Sequence, residues 1–238
     1  MRTLIKSFAV ACSLLAAPFC QASQALQVNF GNSYVPDPGG GLLQSFPSSS
    51  LTGSGFNVWN HLRVGVYERF SFGVDGAFLG GPTNNFNSSN LYVDYRPEAF
   101  LPDLGIRMSP FIGLMSGTAG STGGGMLGYF DWKLADALTL YTSPGYVYSS
   151  AASSAHRFKL DMALDYRVLP WLSIDAELLT GAPHWNFGPD TLLGLAPGAT
   201  FYVGQATLQG SLIFPVAKTS SAATLANPSI ATGVSYAW

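Results

Sequence analysis

The chain has 238 residues, 11 basic and 13 acidic, with a formal charge of −2 and a mean hydropathy of +0.23. Only 10% of its residues are charged and 47% are hydrophobic, against roughly 25% charged in an ordinary soluble domain. This balance, with no basic tract and no Gly-rich phosphate loop, gives no nucleic-acid surface.

Residues 1–22 read as a secretory signal peptide. Arg2 and Lys6 make the positive start, Phe8 to Pro18 the short apolar run, and Cys20-Gln21-Ala22 the small residues before cleavage. The run is too short for a spanning helix, which needs about 20 apolar residues. Both cysteines, Cys12 and Cys20, fall inside it, so residues 23–238 have no disulfide framework. A lipoprotein reading of Cys20 would want a small residue before it, and Phe19 stands there.

The rest of the chain is apolar on average but never continuously so. That combination points to alternation, and in lipid only helices and closed barrels satisfy every backbone polar group. A period-2 pattern gives strands near 25–34, 57–66, 70–80, 91–96, 106–114, 126–133, 138–148, 157–167, 172–178, 191–203, 206–214 and 229–238. The clearest is 157–167, where Phe158, Leu160, Met162, Leu164 and Tyr166 oppose Arg157, Lys159, Asp161, Asp165 and Arg167. As a helix this segment would scatter charge around its axis, whereas as a strand it divides cleanly. Short connections near 67–69, 97–104, 134–137, 168–171 and 203–205 alternate with longer Gly/Ser/Asn/Pro-rich ones. Alternating short turns and long loops are the asymmetry of outer-membrane barrels. The fold class is therefore all-β: an antiparallel up-and-down transmembrane barrel of twelve strands. Pro144 and Pro197 weaken two strands and leave ten strands with a plug-like segment as the alternative.

Fourteen charged residues fall on the inferred lumen parity: Arg63, Arg96, Arg107, Lys133, Arg157, Lys159 and Arg167 against Asp75, Asp94, Asp131, Asp161, Asp165, Asp175 and Glu177. Facing lipid, each cation near the midplane would cost roughly 2–4 kcal/mol. Inside, the set makes either a transverse field across a hydrated pore or a salt-bridge network that stiffens a narrow lumen. Trp59, Tyr92, Phe111, Tyr129 and Tyr141 share the face, where they could stack a flat solute or simply occupy space, the more common outcome in small barrels. His61 faces Asp75 if the turn at 67–69 is symmetric. Such a pair can orient a general base, but Ser71 lies too far along the hairpin to serve as nucleophile. His156 and His184 lack metal-ligand spacing. No catalytic, metal or cofactor site is expected. The segment 35–55 carries Leu42, Leu43, Phe46 and Leu51 and is read as a long first loop, either folded into the mouth or lying on the surface. Phe70, Tyr148, Trp171 and Trp238 suit interfacial girdles.

The stretches Ala-Pro-Gly-Ala-Thr-Phe-Tyr-Val at 196–203, Gln-Gly-Ser-Leu-Ile-Phe-Pro-Val at 209–216 and Thr-Gly-Val-Ser-Tyr-Ala-Trp at 232–238 resemble the outer-membrane transporters associated with meta-pathway phenol degradation. The resemblance is strongest over roughly residues 190–238. It implies a barrel that admits small aromatic or hydrophobic compounds and carries over no catalytic residues. The aromatic terminal Trp238 also resembles the signal read by the barrel-assembly machinery.

The expectation is a passive, porin-like channel in the cell outer membrane, surrounded by lipid and lipopolysaccharide and passing a small-molecule solute. A lipid-modifying enzyme and a closed structural or surface-binding barrel are the alternatives.

Overall fold

The computed structural model describes residues 31–51, 56–80, 86–99, 101, 103–114, 122–150, 156–180, 192–218 and 228–238. The signal peptide expected at 1–22 and His184 lie outside the described residues. Twelve strands follow in order: β1 (Gly41–Ser50), β2 (Phe56–Tyr67), β3 (Phe70–Gly80), β4 (Phe86–Tyr95), β5 (Leu104–Leu114), β6 (Thr122–Ala135), β7 (Leu138–Ser149), β8 (His156–Leu169), β9 (Leu172–Thr180), β10 (Leu192–Val203), β11 (Ala206–Lys218) and β12 (Ser229–Ala237). Each pairs antiparallel with its sequence neighbours, and β1 pairs with β12 to close the barrel. The count of twelve stands, and the ten-strand alternative does not.

The pleat explains the sorting of residues. Along β8, Leu160, Leu164 and Tyr166 face outward at 47%, 45% and 49% exposure, while Asp161, Ala163 and Asp165 face inward at 4% or less. Most strands carry the same two-residue period, with β6 the main exception, so the outside is an apolar belt and the inside collects the charge. The short-turn end carries stacked outward aromatic pairs: Phe70 with Tyr95, Trp171 with Phe201, and Tyr236 with Trp238. Tyr148 stands at the opposite end beside the outward pair Tyr146 and Phe158. Leu164→Arg is expected to cost roughly 2–4 kcal/mol by placing a cation in the belt. Denaturant titration in liposomes would show this as a lowered unfolding midpoint, whereas an unchanged midpoint would mean that this face does not meet lipid.

The first strand differs from its expected place. Residues 31–34 are not strand, and β1 instead runs through 41–50, inside the expected first loop at 35–55. Leu42, Gln44 and Phe46 face inward and Leu43 faces outward, so the apolar residues read as loop form a regular strand. Glycines at 39–41 and Pro47 disguised it. Pro47 sits in β1 opposite Val58, and its carbonyl accepts a hydrogen bond from Thr232 Oγ1 (3.5 Å). The β1–β2 connection is consequently short, and most of it (52–55) lies outside the described residues. Chain ends meet at the short-turn end, where Gly41 and Trp238 exchange backbone hydrogen bonds of 3.0 and 3.1 Å.

Candidate functional site

The barrel interior holds two polar clusters and a strap across one mouth. The first cluster spans β2 to β6. Asp94 lies at its centre, fully buried, and accepts hydrogen bonds from Ser71 (3.0 Å) and from Ser109. Arg63 approaches the same carboxylate at 3.0 Å and Arg107 at 3.8 Å. The Arg107 guanidinium also lies 3.8 Å above the Tyr129 ring. One strand over, Asp75 accepts from Tyr92 and from the Asn90 backbone (3.1 Å) and lies 3.5 Å from His61 Nδ1. Buried carboxylates persist only when donors or cations replace their lost water, and here both have them.

The second cluster lies on β8 to β11. Asp161 accepts from the backbone and hydroxyl of Thr180 and pairs with Lys159. Asp165 and Asp175 face each other directly across β8 and β9. Glu177 follows two residues along on the same face and accepts a hydrogen bond from Gln209 (3.3 Å). Arg167 turns to the rim, where it stacks over Tyr202 at 4.0 Å and donates to the Pro170 carbonyl.

The strap is residues 31–40, which cross the interior at the short-turn end. Ser33 donates its backbone N–H (3.0 Å) and hydroxyl (2.6 Å) to Asp131. Arg107 donates to the Tyr34 carbonyl (3.1 Å), and Arg96 pairs with Asp37 (3.6 Å). Backbone bonds join Gly39 and Gly40 to Gly65. Asn32 and Val35 are buried at 2% and 1% exposure. Gly105 makes room for this path, since a Cβ there would collide with Ser33 Oγ.

Of the residues expected to face the lumen, Trp59, His61, Arg63, Asp75, Tyr92, Asp94, Arg107, Phe111, Tyr129, Tyr141, Asp161, Asp165, Asp175 and Glu177 all lie inward and buried. Asp131 and Lys159 are inward and half-buried; Arg167 is inward at the rim. Arg96 and Lys133 do not join the interior set: Arg96 lies past the end of β4 against Asp37, and Lys133 is exposed near the end of β6 against Asp136. The Arg157 side chain lies outside the described residues. The even split of seven cations and seven anions therefore does not hold among the described side chains. Arg63, Arg107, Lys159 and Arg167 face seven acids, so the interior is acid-rich. Parity had also left unremarked the neutral inward groups Gln44, Asn90, Thr200, Tyr202 and Gln209, all buried. Their strands alternate as regularly as the others, but an uncharged polar residue announces a lumen face less loudly than an aspartate.

His61 and Asp75 meet as the hairpin register predicted, yet Ser71 is committed to Asp94 and Asp75 to Tyr92. Among the described residues the hydroxyl that joins the pair is that of Tyr92 and not of a serine or threonine, and no group of three His, Cys, Asp or Glu is arranged to hold a metal ion.

No family model and no curated protein matches the sequence. Solved structures do share the fold. The KdgM porin superposes with a TM-score of 0.60 at 10% identity, covering 82% of this chain and 98% of that one. The NanC porin gives 0.58 at 12% identity over 82% and 98% of the two chains. An outer-membrane channel from Pseudomonas putida F1 gives 0.60 at 10% identity over 89% and 100%. These likenesses show a shared barrel fold, and nothing in them supports the link to phenol degradation.

Proposed function

We propose that this chain is a porin-like outer-membrane channel, with its short-turn end in the periplasm and the strap at 31–40 narrowing that mouth. The observation that carries the reading is the sorting of charge: a closed barrel with an apolar belt outside and eleven described ionisable side chains turned inward. The likeness to two porins and an outer-membrane channel over 82%, 82% and 89% of this chain supports it. Lipid and lipopolysaccharide would surround the belt, and Trp238 would present the assembly signal.

A small aromatic or hydrophobic solute is the narrower form of the proposal. Five inward rings speak for it, but Tyr92 is already engaged by His61 and Phe111 at 5.4 and 5.5 Å, and Tyr129 by Arg107. Space-filling accounts for these rings as well. KdgM has been solved in complex with oligogalacturonate, a polyanion. The acid-rich interior here would repel such a ligand and favours neutral or cationic solutes.

Planar-bilayer recording tests the reading. Purified barrel is expected to show discrete openings in KCl, more frequent in a variant lacking 31–38, a deletion that spares β1. No openings from either protein would leave the closed structural barrel as the reading to keep.

A further inference from the structure

We propose that the wall formed by β8 to β11 binds a hard, calcium-like divalent cation on Asp165 and Asp175, with Gln209 and Thr200 supplying neutral oxygens beside them. The inference rests on the channel reading, because the ion must reach the interior through water.

The motive is a contrast between carboxylates. Asp75, Asp94, Asp131 and Asp161 each collect hydrogen-bond donors from side chains or backbone. Asp165 and Asp175 are equally buried, at 4% and 6% exposure, yet Asp165 Oδ1 and both oxygens of Asp175 have no hydrogen-bond partner. Like charges directly opposite across a strand pair are destabilising, and a buried anion without a partner is more so. The neighbouring cations answer them only in part: Arg167 acts on Asp165 but lies over the Tyr202 ring, and Lys159 pairs with Asp161.

Neutral groups point to the same place. Gln209 donates its amide to Glu177, which sets it beside the acids and leaves its Oε1 buried without a partner. Thr200 lies in register between Ser173 and Gln209, fully buried, and its Oγ1 is likewise unpartnered. Gly198 stands opposite Asp175 in β10. A Cβ there would lie 2.5 Å from Asp175 Oδ2, so the missing side chain lets the carboxylate lean toward the strand that carries Thr200.

All the free donors are oxygens, which selects a hard cation over zinc or copper. They come from four strands and form no rigid octahedron, which suits the adaptable shell of calcium better than that of magnesium. Among the described residues no three acids converge as a closed centre, so water completes the shell and the ion exchanges with the lumen.

The test uses the full mature barrel refolded in detergent and stripped with EDTA. Calcium at about a hundredfold excess over its Kd should raise the thermal midpoint by about 5 °C or more. Terbium should show luminescence excited through tyrosine or tryptophan and displaced by calcium. D165N/D175N should lose both signals and melt higher than wild type in EDTA, because the facing charges are gone. G198A, which pushes a methyl into the Asp175 carboxylate, should weaken calcium binding tenfold or more, and it serves if the double variant does not fold. D161N, whose carboxylate is already bonded, should keep the response. The proposal is overturned if wild type gives no shift and no luminescence. It is equally overturned if both survive in D165N/D175N and G198A, which would place the ion elsewhere. Neither readout needs current. A barrel that binds calcium yet never conducts would refute the channel and keep the site, and a conducting barrel blind to calcium would do the reverse.

Discussion

Asp94→Ala is expected to destabilise the barrel by about 3–5 kcal/mol, the cost of removing one partner from a buried ion pair. The carboxylate has no exposure, and around it sit Arg63 at 3.0 Å, Arg107 at 3.8 Å and the hydroxyls of Ser71 and Ser109. Without it two buried guanidiniums face one another with no anion between them. Asp94→Asn keeps an acceptor and should cost less. Ser71→Ala should cost only about 1–3 kcal/mol, since it deletes one donor to a charged group. A triple replacement of Asp94, Arg63 and Arg107 by apolar residues of similar volume should recover much of the loss, because the cost of Asp94→Ala comes from stranded charge rather than from lost attraction. Urea unfolding midpoints of this series in liposomes give the ranking. An Asp94→Ala midpoint equal to wild type would mean that water reaches this cluster and that its charges are not desolvated.

The barrel was legible in the sequence because a period of two leaves a strong trace when one face is charged. Residues 157–167 needed no tertiary information, since five charges on one parity have only one place to go in a lipid-bound strand. The His61–Asp75 contact was legible for a related reason: a tight turn sets the register of a hairpin, and register sets which side chains face each other. β1 was not legible. Its inward residues are Leu42, Gln44 and Phe46, its outward face carries Leu43, serines and Pro47, and two glycines precede its own first residue, Gly41. Low charge and high Gly content there mimic a loop. The strap was hidden more deeply. Nothing local in Asn32-Ser33-Tyr34-Val35 reveals that Ser33 will bond a carboxylate 98 residues away, because that contact depends on closure of the whole barrel. Arg96 and Lys133 fell on the lumen parity but sit at strand ends, where parity no longer decides between interior and rim.

On the proposed channel reading, loosening the strap should open the pore. Asp131→Ala removes the acceptor of the Ser33 backbone and hydroxyl bonds, and hydrogen bonds to a charged group contribute about 1.5–3 kcal/mol. A net loss of about 2 kcal/mol from the closed state corresponds to roughly a 30-fold rise in the open-to-closed ratio. Part of this could come through Arg107, which reaches both the Tyr34 carbonyl and the cluster around Asp94, so a second route is needed that leaves charge untouched. Gly105→Ala supplies it: the new methyl occupies the space of Ser33 Oγ and displaces the strap by contact alone. Single-channel recording of the two variants should show the same change, longer and more frequent openings at unaltered unit conductance if the strap gates, or a larger unit conductance if it only narrows. Wild-type open probability and conductance in both variants would show that residues 31–40 lie in the mouth without controlling it. Agreement between a charge deletion and a steric insertion, made on different strands, would tie the closed state to the strap's position and not to the field around Asp131.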